Sequence, residues 1–145
     1  MAKTTIPHFE IAPHDAGVSI KAWGKTVKEL FLSALQGAAH YLNPTAIVSS
    51  SGAKEIRQKF SAEAVDVNSL LVEFLTQVIS YSDSHNAVFT DAQFGKFGED
   101  FLEAELLGIE VAGFEREIKS VGYEDVEIKK DPKTGRFEAI LMLET

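Results

Sequence analysis

Apolar residues recur with the period of an α-helix in only two stretches of this chain, and elsewhere they alternate as they do in β-strands. The first stretch begins after Thr26, which forms a capping box with Glu29, and Asn43 and Pro44 end it. Its apolar face comprises Val27, Leu30, Phe31, Ala34, Leu35, Ala38 and Leu42. This spacing predicts an amphipathic helix that packs against a core.

The second stretch follows Asp66, a typical N-cap residue. Its apolar face comprises Val67, Leu70, Leu71, Phe74, Leu75 and Val78. The pattern predicts a second helix that frays near residues 82–84.

Alternating apolar and polar residues predict strands over the rest of the chain. Residues 98–100 separate two such stretches and predict a hairpin, with a bulge near Leu106 and Leu107. The loop 131–135 is rich in turn-forming residues. The predicted strands cover 18–23, 54–62, 88–97, 101–111, 117–130 and 136–144. The order predicts one α+β domain over residues 1–145, with two helices packed on one face of a mainly antiparallel sheet.

The composition excludes several classes of function. The chain has 145 residues, 14 Lys and Arg against 22 Asp and Glu, a net charge of −8 and no cysteine. A disulfide scaffold and a thiolate zinc site are therefore excluded, and the acidic balance argues against direct nucleic-acid binding. No apolar run approaches the ~20 residues of a membrane span, and the first residues do not form a signal peptide. We expect a cytoplasmic protein that does not bind a membrane.

No catalytic motif emerges from the sequence. Gly24, Lys25 and Thr26 follow a strand and open a helix as a phosphate-binding loop does, but Ser19 stands where that motif needs a glycine. A tight turn and helix cap is the better interpretation. The four histidines lack metalloprotease spacing, and no serine lies in a nucleophile elbow. We therefore expect a protein that is not an enzyme.

The segment 13–17 precedes the first predicted strand and contains Pro, His, Asp, Ala and Gly. Its small, polar and titratable residues suit either a turn or a functional site. The residues alone leave both interpretations open.

Several motifs along the chain resemble the archease family. The segments HDAGVSI (14–20) and WGKTVKELF (23–31) resemble the family's start, where a His-Thr-Ala-Asp-hydrophobic-Gly stretch leads into a strand, a turn and a helix. Residues 66–75 resemble its second helix, and 117–123 resemble its Glu-hydrophobic-Lys-Ala-x-Thr-Tyr-His stretch. Residues 136–145 resemble its last strand, which closes on an acidic residue.

This resemblance implies an archease-like fold and an accessory role. In the family, the small protein assists guanylylation of the GTP-dependent RNA ligase of tRNA splicing and RNA repair, and it allows multiple turnover without joining RNA itself. The expected partner is therefore an RNA ligase protein. The expected cofactor is a divalent cation, Ca²⁺, Mg²⁺ or Mn²⁺, which carboxylate oxygens bind.

The resemblance also assigns candidate site residues. The family's metal-binding Asp of the first motif aligns with Gly17, and Asp15 lies two positions away. The family's terminal Asp aligns with Glu144, and Thr145 could add main-chain oxygens. The resulting expectation is a metal site at Asp15, Gly17, Glu144 and Thr145, and a partner-binding surface at His14, Lys119, Tyr123 and Glu124. A divergent member could instead have lost the site, or rebuilt it with Asp15, Glu124 and Glu144.

Two further expectations concern the placement of the acidic residues and an alternative function. The acidic residues of segment 14–17 and of the chain's last strand should lie side by side at one edge of the sheet. The alternative function is a general protein-interaction or chaperone-like module with a degenerate metal site, which would use an exposed aromatic patch. Its candidate residues are Trp23, Phe94, Phe97 and Phe101.

Overall fold

A computed structural model describes residues 8–15, 17–48, 53–122 and 126–145. Its helices are α1 Val27–Leu42, α2 Pro44–Val48 and α3 Val67–His85. Its strands are β1 Phe9–His14, β2 Gly17–Gly24, β3 Glu55–Glu63, β4 Ala87–Phe97, β5 Phe101–Glu110, β6 Ser120–Val121, β7 Lys129–Lys130 and β8 Phe137–Glu144. The predicted α+β class is confirmed. Within the described ranges, none of the helices combines the length and the apolar character that a membrane crossing requires.

Both long helices begin at the predicted caps. The Thr26 hydroxyl accepts a hydrogen bond from the Glu29 amide at 3.1 Å, and the Asp66 carboxylate accepts one from the Ser69 amide at 2.8 Å. Helix α3 continues past residues 82–84, where fraying was predicted, and ends at His85. It ends there because Asn86 takes a left-handed conformation, with φ 48°, that caps the helix.

The cap at Asp66 predicts a pH-dependent contribution to stability. Hydrogen bonds from Ser69 hold the pKa of Asp66 below its ordinary value. A lowered folded-state pKa stabilises the fold above the unfolded-state pKa, and this contribution is lost as the pH falls through the folded-state pKa. We expect Asp66→Ala to lower the free energy of unfolding at neutral pH, and the difference from the wild type to shrink in acid. Urea denaturation at neutral and at acidic pH measures this difference in the free energy of unfolding. The control is Asp66→Asn, which keeps a helix cap that does not titrate.

The strands divide between two antiparallel sheets rather than forming the single sheet predicted. One sheet has the order β1-β2-β8-β6, with β7 also paired to β8, and the other has the order β3-β5-β4. Helix α1 packs against both sheets, through β2 and β4. Alternation identifies strands but not their pairing partners, so the division could not be predicted from periodicity. The largest fully buried side chains come from both sheets and both long helices, and include Ile20, Phe31, Phe74, Phe89, Leu106 and Leu141.

The structure differs from the predictions at four places. Strand β1, which pairs with β2, was not predicted, and neither was the short helix α2. A register shift does lie at Leu107, as predicted, but the extra residue is Thr90 of β4 rather than a residue of β5, and a second shift in β4 skips Gly95. In the described part of the predicted strand 117–130, only β6 and β7 are strands, because the buried residues Ile118 and Val121 are three positions apart and do not alternate.

Candidate functional site at one end of the larger sheet

Three strands of the larger sheet meet at Glu144, near the end of β8. Gly17 of β2 pairs with Glu144 on one side, and Ser120 of β6 pairs with it on the other. The Lys119 amide donates a hydrogen bond to the Glu144 carbonyl at 2.7 Å, and His14 pairs with Gly17 across the β1-β2 hairpin. We call this group, with Asp15 and Thr145, the sheet end. Tyr123 and Glu124, the other predicted site residues, lie outside the described residues.

The backbone leaves no room for a side chain at Gly17. A Cβ atom there would lie 1.8 Å from the Leu143 carbonyl oxygen and 2.9 Å from its carbonyl carbon. Strands β2 and β8 therefore approach each other at a distance that only glycine permits. Position 17 supplies no metal-ligating side chain, and an aspartate could not take its place without moving β8.

Within segment 13–17, Pro13 and His14 end β1, Gly17 begins β2, and Asp15 lies in a turn. Asp15 has φ 32°, a left-handed value that Asp tolerates better than most residues. Its carboxylate oxygen lies 3.6 Å from His14 Nε2, and its side chain is 91% exposed. A contact this exposed contributes little to stability. The two side chains therefore remain accessible at the surface of the sheet end.

The described residues do not assemble a complete metal site. No three His, Asp or Glu side chains in the described ranges lie close enough to share a cation. Asp15 and Glu144 could each offer a carboxylate, and Gly17 offers none. The predicted cation site stays a prediction.

An open cleft of about 770 Å³ adjoins the sheet end. The C-terminal half of α3 forms one wall, and the segment 114–121 forms the other. Lys119 and Ser120 line the cleft and also border Glu144, so the two features form one continuous surface. Its lining combines the buried or half-buried apolar residues Leu42, Ile79 and Phe114 with the exposed charged residues Asp83, Arg116, Glu117 and Lys119.

Contacts to α1 and α2 fix one wall of this cleft. The Leu42 carbonyl accepts hydrogen bonds from the amides of Glu115 and Arg116 at 3.0 and 3.2 Å. The Glu115 carboxylate accepts from the Thr45 amide and hydroxyl, each at 3.0 Å. The Arg116 guanidinium lies 5.1 Å from the centre of the Tyr41 ring. Sequence reasoning missed Glu115 and Arg116, because their partners lie about seventy positions earlier in the chain.

The other sequence candidates have structural roles. A Cβ atom at Gly24 would lie 2.6 Å from Glu29 Cβ, so this glycine permits a tight turn into α1, as predicted. Phe94 and Phe97 pack against the core, with ring centres 5.3 Å apart, and so do not form an exposed patch.

Comparisons with known proteins extend over almost the whole chain. The sequence pattern of the archease protein family matches residues 9–141. Protein archease of Methanosarcina barkeri is 30% identical over 130 residues, covering 84% of this chain and 86% of the relative. Protein archease of Aeropyrum pernix is 29% identical over 138 residues, covering 88% and 92%.

Two solved structures share the fold. The solution structure of protein 1598 of Methanobacterium thermoautotrophicum has a TM-score of 0.68 at 24% identity, covering 97% of this chain and all of that one. The crystal structure of an archease from Thermotoga maritima, described as a possible chaperone, has a TM-score of 0.62 at 12% identity. It covers 100% of this chain and 98% of that one.

Proposed function

Since this chain belongs to the archease family, we propose that it is a non-enzymatic accessory factor that activates a GTP-dependent RNA ligase of tRNA splicing or RNA repair. It promotes guanylylation of the ligase and allows repeated turnover. The proposed role places the chain in the cytoplasm with its partner. The sequence supports an accessory role because it carries no recognisable catalytic motif.

The ligase-binding surface we propose consists of the sheet end and the adjoining cleft. The observation that carries this assignment is the position of Lys119, an exposed residue that lines the cleft and whose backbone amide is hydrogen-bonded to the Glu144 carbonyl. The apolar residues that line the cleft can bury a partner's side chain, and the exposed charged residues can orient it. His14 and Asp15 extend this surface across the β1-β2 hairpin.

If a divalent cation binds here, Asp15 and Glu144 are the residues that would hold it, with main-chain oxygens of Thr145. Oxygen ligands of this kind suit Ca²⁺, Mg²⁺ or Mn²⁺. Calorimetric titration of the wild type and of Glu144→Gln with each ion tests this, and equal heats for both proteins would contradict it. The activation we propose relies on the protein contact and involves no step at a cation.

A chaperone-like module is the second candidate, and one exposed apolar residue of the larger sheet favours it. Ile140 of β8 is 47% exposed on the sheet's outer face. A single side chain is a small patch, whereas the cleft offers a shaped surface. We therefore favour the ligase activator.

A turnover assay separates these two functions. With substoichiometric ligase, GTP and broken RNA, we expect the chain to increase both the fraction of guanylylated ligase and the number of ligations per ligase. A chaperone-like module would instead protect unrelated unfolding proteins from aggregation to the same degree as the ligase. Unchanged guanylylation and turnover would contradict the proposed function.

A further inference from the structure

Basic residues are concentrated at the opposite end of the larger sheet, about 23 Å along β2 from Gly17. Residues 21–25 and 129–138 carry six of the 14 Lys and Arg residues but only two of the 22 Asp and Glu residues. Strand pairing brings these segments together, because Gly24 pairs with Phe137 and Lys129 pairs with Glu138. We call this group the basic corner: Lys21, Lys25, Lys129, Lys130, Lys133 and Arg136.

Of the two acidic residues within the corner, Glu138 is engaged by the corner's cations and Asp131 by a backbone amide. The Glu138 carboxylate accepts a hydrogen bond from Arg136 Nε at 2.7 Å and lies 3.9 Å from Lys21 Nζ. The Asp131 carboxylate accepts a hydrogen bond from the Lys133 amide at 2.8 Å. Outside the two segments, Glu127 lies 3.9 Å from Lys129, and Glu10 of β1 pairs with Lys21. The corner is therefore a positive region on a chain whose net charge is −8.

Two aromatic rings lie close to cations of the basic corner. The Arg136 guanidinium is 4.8 Å from the centre of the Trp23 ring, and Lys130 Nζ is 5.7 Å from the centre of the Phe137 ring. Trp23 is partly exposed on β2, two positions before Lys25, and pairs with Glu138 of β8. Aromatic and guanidinium groups beside lysines are the combination with which proteins hold single-stranded nucleic acid.

We propose that the basic corner binds single-stranded RNA, with lysines contacting phosphates and a base stacking on Trp23 and Arg136. An acidic peptide would use the lysines but would gain nothing from the indole, so the aromatic group favours RNA. The net charge predicted no nucleic-acid contact, but that value is a sum over the whole surface and does not describe this corner. This proposal goes beyond ligase activation and does not rest on it.

Fluorescence of the single tryptophan, Trp23, reports directly on this site. We expect a short unstructured oligouridylate to quench Trp23 emission at low salt and to raise the anisotropy of a labelled copy of the RNA. The double variant Lys129→Glu/Lys133→Glu should bind about tenfold more weakly and reduce the salt slope by about 1.4, since each lost phosphate contact on a single strand removes about 0.7. Lys129 and Lys133 are both exposed, as are the two lysines changed in the control described below.

The control Lys54→Glu/Lys59→Glu makes the same change of charge in and beside β3 of the smaller sheet, and we expect it to bind within about twofold of the wild type. Three results would overturn the proposal: no RNA binding at low salt, RNA binding that leaves Trp23 emission unchanged, or equal losses in both double variants. Displacement of the RNA by polyglutamate at equal charge would identify an acidic peptide as the ligand and would also overturn it. Guanylylation of the ligase without RNA is a separate readout, so either proposal can fail alone.

Discussion

Gly17→Ala is expected to lower the free energy of unfolding by about 3 kcal/mol, because its methyl group would overlap the Leu143 carbonyl oxygen at 1.8 Å. The obstacle is backbone, which a change of rotamer cannot relieve. Strands β2 and β8 would have to separate where Gly17 pairs with Glu144. Thermal unfolding should show a Tm lower by roughly 10 °C for a chain of this size.

Gly95→Ala is the matched control for this substitution. Gly95 also lies in a strand, but a Cβ atom there would meet only the Glu103 carbonyl oxygen, at 3.9 Å. We expect its Tm to stay within a few degrees of the wild type. A Gly17→Ala protein as stable as Gly95→Ala would show that β8 yields easily, and position 17 could then accept an aspartate.

Local patterns were sufficient for the elements with strong periodicity. Helices α1 and α3 were predicted because their apolar residues recur every three or four positions and their caps are Thr26 and Asp66. The β4-β5 hairpin was predicted because residues 98–100 interrupt two alternating stretches. Each of these signals lies within about twenty residues of the sequence.

Features that depend on distant pairing were not predictable in this way. Strand β1 contains Pro13 and reads as a turn region, yet Phe9 and Ile11 pack against the core once β2 is beside them. The wall of the cleft depends on hydrogen bonds from Glu115 and Arg116 to Leu42, at the end of α1. No periodicity within segment 111–121 encodes those contacts.

The candidate site was predicted only in part. The resemblance placed Gly17 and Glu144 in one site, and the strand register does pair them. The requirement for glycine at position 17 could not be read from the sequence, because the atom that excludes a side chain belongs to Leu143. The cleft beside Lys119 was missed for the same reason, since α3 forms its other wall.

Lys119→Glu is expected to abolish most of the stimulation of the ligase. The side chain is exposed, and the hydrogen bond to the Glu144 carbonyl comes from the Lys119 backbone, so the reversal of charge leaves the fold intact. Because position 119 lies where the sheet end meets the cleft, reversing its charge should raise the concentration of the variant needed for half-maximal stimulation of the ligase by about tenfold or more. The matched control is Lys59→Glu, an exposed lysine in β3 of the smaller sheet.

The most direct measurement is the rate of ligase guanylylation with GTP as each protein is titrated, alongside its Tm. Our account predicts that the wild type and Lys59→Glu stimulate the rate alike, that Lys119→Glu fails at the same concentrations, and that all three proteins share one Tm. A Lys119→Glu protein that stimulates guanylylation as well as the wild type would contradict the assignment of this surface to the ligase.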